Sequence, residues 1–108
     1  MGRSQRDKGA RGQSEAATVL RSHGYAVSQL TCGIKSEDII AEYDGSMWAV
    51  EVKNCATINI RNMRRQAREQ AKAKGLPWWL LVRLEGHPHT FLSERVDGVC
   101  ILRLKEDL

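Results

Sequence analysis

Asp38, Glu51 and Lys53 are the residues of this chain whose types and spacing could do chemistry, because the segment joining them reads as a β-hairpin that brings two carboxylates together beside a lysine. Asp44-Gly45 is the strongest short-range signal for a two-residue type I′ turn: both central positions must accept φ > 0, and the flanking runs are apolar and β-prone. With Tyr43 paired to Ser46, the register sets Asp38 directly opposite Glu51. Lys53 then shares the face of Glu51, since strand side chains alternate with period two. Opposed Cβ atoms sit roughly 4.5–5.5 Å apart. Two like charges at that spacing repel by about 3–4 kcal/mol at an effective dielectric near 20, which a hairpin selected only for stability would avoid. A divalent cation removes the penalty. Carboxylate oxygens with one open face suit Mg²⁺, which dehydrates reluctantly and fills its remaining positions with water and phosphate oxygens.

The same residues could serve as a strand-opening aspartate and an exposed ladder pair if one side of the sheet faced solvent. Trp48, Val50 and Val52 already supply one apolar face, however, and Ile40 and Ala49 make the opposite face apolar too. Charges at the end of a sheet covered on both sides need a reason.

Elements in an alternating α and β order position these residues. A first helix is expected from about residue 8 or 12 to residue 23, with Ala16, Val19, Leu20 and His23 as its buried stripe, Glu15 at the stripe's edge, and Gly24 as its stop. Residues 25–30 read as a strand and residues 31–37 as a mobile loop that includes Lys35 and Ser36. After the hairpin a short connection leads to a second helix near residues 62–74, ended by Gly75 as C-cap and by Pro77 two residues on. Residues 78–84 are the most apolar run and are expected as a central strand; residues 90–93 and 99–104 are candidate last strands joined by Asp97-Gly98. The order is αβββαβ with one or two strands added. It predicts an α/β fold, a central mixed β-sheet flanked by helices.

At 108 residues the chain should be one domain, residues 1–108, with a single core. A net charge of +4 and a pI near 9.2 point to a polyanionic partner. No apolar run approaches the ~18 residues needed to span a bilayer, and the polar N-terminus has no apolar signal segment, so no membrane partner and a cytoplasmic location are expected. Cys32, Cys55 and Cys100 are odd in number and lack CxxC spacing, which argues for reduced thiols over a disulfide framework or a zinc cluster. His87 and His89 flank Pro88 in a turn and read as loop residues, and His23 as a partly buried core histidine.

The basic residues are clustered. Arg3, Arg6, Lys8 and Arg11 are opposed only by Asp7, and Arg61, Arg64, Arg65, Arg68, Lys72 and Lys74 only by Glu69. A helix this one-sided has no self-neutralising i, i+4 ladder; a phosphate backbone would explain it, and a solvated face is the plain alternative. The N-terminal segment adds Gly2, Gly9 and Gly12 to its cations and reads as a basic arm at about residues 1–11, mobile until it orders on nucleic acid. No base-reading motif is visible, so recognition should rest on backbone geometry and shape.

The αβββαβ order with D-x12-E-x-K spread over a hairpin resembles the PD-(D/E)XK nuclease superfamily, whose fold is the restriction-endonuclease-like core. Lys8-Gly9 before the helix, Glu15 within it, His23-Gly24-Tyr25-Ala26-Val27 after it, Asp38-Ile39-Ile40-Ala41 and Glu51-Val52-Lys53 are similar to its archaeal-type Holliday junction resolvase branch. The likeness covers about residues 6–84, and Glu37 stands where the superfamily pattern has proline. The resemblance implies Mg²⁺-dependent hydrolysis of DNA, with Mn²⁺ as the expected substitute ion, leaving a 5′ phosphate. Asp38, Glu51 and the Val52 carbonyl would hold the metal, Glu15 would complete the site through a water or a second ion, and Lys53 would orient the nucleophile or stabilise charge on phosphorus. Gln66 and Gln70, beside the Met63, Ala67, Ala71 stripe, could reach a metal water or a phosphate, although solvated helix positions account for them as simply. Lys35 and Ser36 could close on the scissile strand. A four-way junction needs two symmetric cuts, so a homodimer is implied. A duplex-cutting repair or restriction nuclease of the same fold, and a DNA-binding module without cleavage, are the alternatives.

Overall fold

Among the described residues eight elements follow one another: α1 (Gly2–Ser22), β1 (Ala26–Cys32), β2 (Ser36–Tyr43), β3 (Ser46–Lys53), α2 (Ile60–Lys74), β4 (Trp78–Arg83), β5 (Thr90–Arg95) and β6 (Gly98–Arg103). This computed structural model describes residues 2–32, 36–54 and 59–105, and the side chains of residues 11–28, 39–54 and 59–105. Among the described residues the strands form one six-stranded mixed sheet in chain order, β1-β2-β3-β4-β5-β6. Every neighbouring pair is antiparallel except β3 and β4. Parallel neighbours need a crossover long enough to carry the chain back, and the connection between these two strands holds α2.

The hairpin forms as its turn chemistry dictates. Asp44 at φ 51° and Gly45 at φ 80° supply the two positive angles of the type I′ turn, Tyr43 pairs with Ser46, and the ladder runs back to Ile39 opposite Val50. β4 lies between β3 and β5, and its unbroken apolar run serves both faces at once. Trp79 and Leu81 join Ile39, Ala41, Val50 and Phe91 beneath the Ala16, Val19, Leu20 stripe of α1. Leu80 and Val82 meet Met63 and Ala67 of α2 on the opposite face. Leu80, Leu81 and Val82 are 0 % exposed, so each contributes roughly 1.5–3 kcal/mol of hydrophobic stabilisation.

Helix α2 begins where Asn59 accepts a hydrogen bond from the Asn62 N–H at 3.2 Å, and it ends at Gly75, whose φ of 67° is the left-handed cap conformation. Helix α1 starts much earlier than its apolar stripe suggested, because Arg, Gln, Lys and Ala are strong helix formers and outweigh the scattered glycines of residues 2–12. The segment expected as an arm is therefore helical backbone. Gly12 has a packing role: a Cβ there would stand 2.9 Å from Asn54 Cβ, so only glycine lets α1 approach the end of β3 so closely. Ser36, expected in a loop, opens β2 opposite Cys32. Residues 33–35 of the expected loop, Lys35 among them, lie outside the described residues. Both candidate last strands form, and β6 becomes a sheet edge with Val99 and Ile101 exposed. Among the described residues no helix is long and apolar enough to cross a membrane.

Candidate active site

Period-two alternation on β3 sends Trp48, Val50 and Val52 toward α1 and leaves Ala49, Glu51 and Lys53 on the side of α2. The parallel register places Glu51 beside Leu80 and Lys53 beside Val82, both fully buried. The two charges thus follow directly on a dry core at the carboxyl end of β3. There they line a cleft of ≈ 440 Å³ together with Gln13, Val52, Gln66, Glu69 and Gln70. Lys53 Nζ stands 3.0 Å from Glu51 Oε2, with side chains 28 % and 15 % exposed. At that burial a lone carboxylate would be costly, and the ammonium compensates it. The backbone of Asp38 lies in β2, paired with Leu30, one residue beyond Ile39; Glu51 lies one residue beyond Val50. Among the described residues the β2–β3 ladder ends at Ile39 opposite Val50, one residue short of the expected Asp38–Glu51 pair. The Asp38 side chain lies outside the described side chains, as does that of Ser36.

Glu15 is not brought to this cleft. Its carboxylate accepts two hydrogen bonds from Arg83, at 3.0 and 3.2 Å, and one from the His89 backbone N–H at 2.9 Å. Burial pushes its carboxyl up, but the Arg83 hydrogen bond, the His89 N–H and the charge of Arg83 outweigh that and hold it below the usual value. The anchored turn carries His89 at φ 54°, a left-handed angle for a residue with a side chain. Geometry explains the separation: residues two apart on a helix are about 200° apart around its axis. Glu15 and Gln13 consequently occupy opposite flanks of the Ala16, Leu20 stripe, and Gln13 is the flank that meets the end of β3. The sequence held a partial signal: Gln13, Ala16, Ala17 and Leu20 recur at i, i+3, i+4 and i+7, which puts Gln13 on the buried side of α1 without saying what it meets there.

The cations divide in the same manner. Arg64, expected at a phosphate backbone, is instead held by Glu94 of β5: its Nη2 donates to Oε1 at 2.8 Å and its Nε pairs with Oε2. Glu94 is only 7 % exposed, and a carboxylate so buried requires a partner. That partner's pKa is raised by the same hydrogen bonds. Arg68 lies over the Trp78 ring, 5.3 Å from its centroid, with its residue exposed. Arg61, Arg65 and Lys72 are exposed on α2, as is Arg11 on α1. Arg3, Arg6 and Lys8 stand on the helical backbone of α1, and their side chains lie outside the described ones. Gln66 and Gln70 do line the cleft, so α2 delivers two amides to the same place as the Glu51-Lys53 pair.

A second cleft of ≈ 380 Å³ opens on the α1 side of the sheet, lined by His23, Tyr25, Trp79, Arg95 and neighbouring residues. Its only acid among the described residues, Asp97, is paired with Arg95 at 3.4 Å, and Arg95 is stacked over the rings of Trp79 and Trp48. Among the described residues it holds no carboxylate pair, whereas the first cleft has Glu51 and Glu69 beside Lys53; a third cleft, at the hairpin turn, is lined by Glu42 and Asp44 but by no lysine or arginine. The donors of the first cleft, carboxylate, amide and backbone carbonyl oxygens, are hard ligands of the kind Mg²⁺ takes. Among the described residues no three His, Cys, Asp or Glu side chains are close enough to hold a metal by themselves. No protein-family model matches the chain, and a search of curated proteins finds no match.

Proposed function

We propose that the chain is a Mg²⁺-dependent DNA endonuclease with a restriction-endonuclease-like core, acting on branched DNA of the four-way junction type. The observation that carries this reading is the placement of Glu51 and Lys53 on one face at the carboxyl end of β3, in a polar cleft. Asp38, Glu51 and the Val52 carbonyl would hold the ion. Bound there, Mg²⁺ supplies positive charge to a phosphate oxygen and makes water a better nucleophile.

The chain's own groups have separate tasks. Lys53 is 3.0 Å from Glu51 and can exchange that carboxylate for a phosphate oxygen or the attacking water, so that its charge meets the charge growing on phosphorus. The amides of Gln13, Gln66 and Gln70 line the same cleft and can donate to non-bridging oxygens or accept from the water. The exposed Arg61, Arg65, Arg68 and Lys72 follow α2 away from it and suit a phosphate backbone. Glu15 works at a distance, through Arg83 and His89, by fixing α1 to the β4–β5 turn. Two symmetric cuts need a twofold dimer, and the open edge of β6, with Val99 59 % and Ile101 48 % exposed, supports one.

The test is incubation of the purified chain with labelled four-way junction, flap, nicked and linear duplex DNA in Mg²⁺ and, separately, Ca²⁺. Cleavage of the junction in Mg²⁺ with binding alone in Ca²⁺ is the expected result. Preferential cutting of linear duplex would make the chain a repair or restriction type of nuclease. Binding without cleavage of any substrate would refute the enzymatic reading.

A further inference from the structure

Helix α2 carries six cations, Arg61, Arg64, Arg65, Arg68, Lys72 and Lys74, and one acid, Glu69. None of the six cations lines the cleft of Glu51 and Lys53, whereas Glu69 does, between Gln66 and Gln70. Arg65 and Lys72 stand at i−4 and i+3 from Glu69, the spacings at which helix ion pairs form. Among the described residues no ion pair with Glu69 is made, while Lys53 pairs with Glu51 and Arg64 with Glu94. Among the described residues the cleft thus faces two carboxylates with one ammonium, a local negative charge on a chain whose net charge is +4. Such a cleft would repel a phosphate that the surrounding arginines attract, unless a cation enters it.

We propose that Glu69 is a second carboxylate of the candidate active site and helps hold a divalent cation there through the ion's water shell. The inference rests on the reading of the cleft as a Mg²⁺-dependent nuclease site. Glu69 is exposed where Glu51 is mostly covered, so direct ligation falls to Glu51, and Glu69 stands at the mouth, where a strongly hydrated ion keeps its waters. Glu69 is a positioning residue in this scheme. It orients metal waters and balances the charge that Glu51, paired with Lys53, cannot balance alone.

The test measures Mn²⁺ binding to the full chain without DNA, by the loss of the free-ion electron paramagnetic resonance signal, for wild type, E69Q, E69D and E51Q. The expected result is loss of binding in E51Q, about tenfold weaker binding in E69Q with an unchanged unfolding midpoint, and recovery of most of the affinity in E69D, which keeps the charge. If E69Q binds Mn²⁺ like wild type while E51Q does not, Glu69 only relieves repulsion along a cationic helix. The inference then falls, and the active-site reading stands. If E51Q also binds like wild type, the cleft is not the metal site and both fall together.

Discussion

Replacing Glu15 by glutamine separates the frame of the molecule from its chemistry. The wild-type carboxylate takes hydrogen bonds from Arg83 at 3.0 and 3.2 Å and from the His89 N–H at 2.9 Å. The Arg83 and Glu15 side chains are 15 % and 12 % exposed, so solvent screens the pair little. Glutamine keeps the shape and one acceptor oxygen but removes the charge, leaving a mostly covered guanidinium without its counter-ion. Net contributions of hydrogen bonds to charged groups run at about 1.5–3 kcal/mol, so Glu15→Gln should cost about 2–3 kcal/mol at neutral pH. In a domain of this size that lowers Tm by about 10–15 °C. The sign with pH follows from the carboxyl being held below its ordinary value. The contribution is complete above the ordinary carboxylate pKa of about 4.3 and is lost as pH falls through the lower folded value. Urea unfolding of wild type and variant should therefore differ at neutral pH and converge in strong acid. Junction cleavage at 25 °C, where the variant is still folded, should stay near the wild-type rate. A Glu15→Gln protein as stable as wild type at neutral pH but unable to cleave would refute this reasoning and return Glu15 to the active site.

Asp38→Asn and Glu51→Gln should each abolish cleavage in Mg²⁺ while leaving junction binding in Ca²⁺ intact or tighter; normal cutting by either variant removes the hairpin from the chemistry. Lys53→Ala should slow single-turnover cleavage by roughly 10²–10³, about 3–4 kcal/mol, with little change in DNA affinity, and equal losses in both would make it a phosphate anchor instead. Changing Arg61 and Arg65 together to Gln should flatten the dependence of log affinity on log salt by about 0.9 for each lost phosphate contact on B-form DNA, and an unchanged slope would assign the DNA surface elsewhere. Gly75→Ala should lower stability by about 1 kcal/mol in urea unfolding without slowing cleavage, because φ at this cap is 67° and Gly75 does not line the cleft; no loss of stability would mean the cap can relax.

Much of the scaffold was readable from local chemistry. Asp44-Gly45 admits one kind of turn, that turn admits one register, and the ladder from Tyr43–Ser46 to Ile39–Val50 follows it residue by residue. Gly75 and Pro77 ended α2 for equally local reasons, and the double-sided apolar run of β4 announced a strand covered on both faces. Alternation alone put Glu51 and Lys53 on one face, because it needs no knowledge of what lies across from it. Partners were a different matter. Glu15 meets Arg83 across 68 residues of chain and Arg64 meets Glu94 across 30, and nothing in their neighbouring sequence distinguishes a residue bound for an ion pair from one bound for a substrate. The extent of α1 was missed because propensity carries a helix beyond the stripe that buries it. Which flank of α1 meets the end of β3, and hence that Gln13 and Glu69 line the cleft while Glu15 does not, was decided only when both helices docked on the sheet. Several tens of degrees of rotation about a helix axis change which side chain arrives, and that rotation is set by packing of Ala16, Leu20, Met63 and Ala67 against strands distant in sequence.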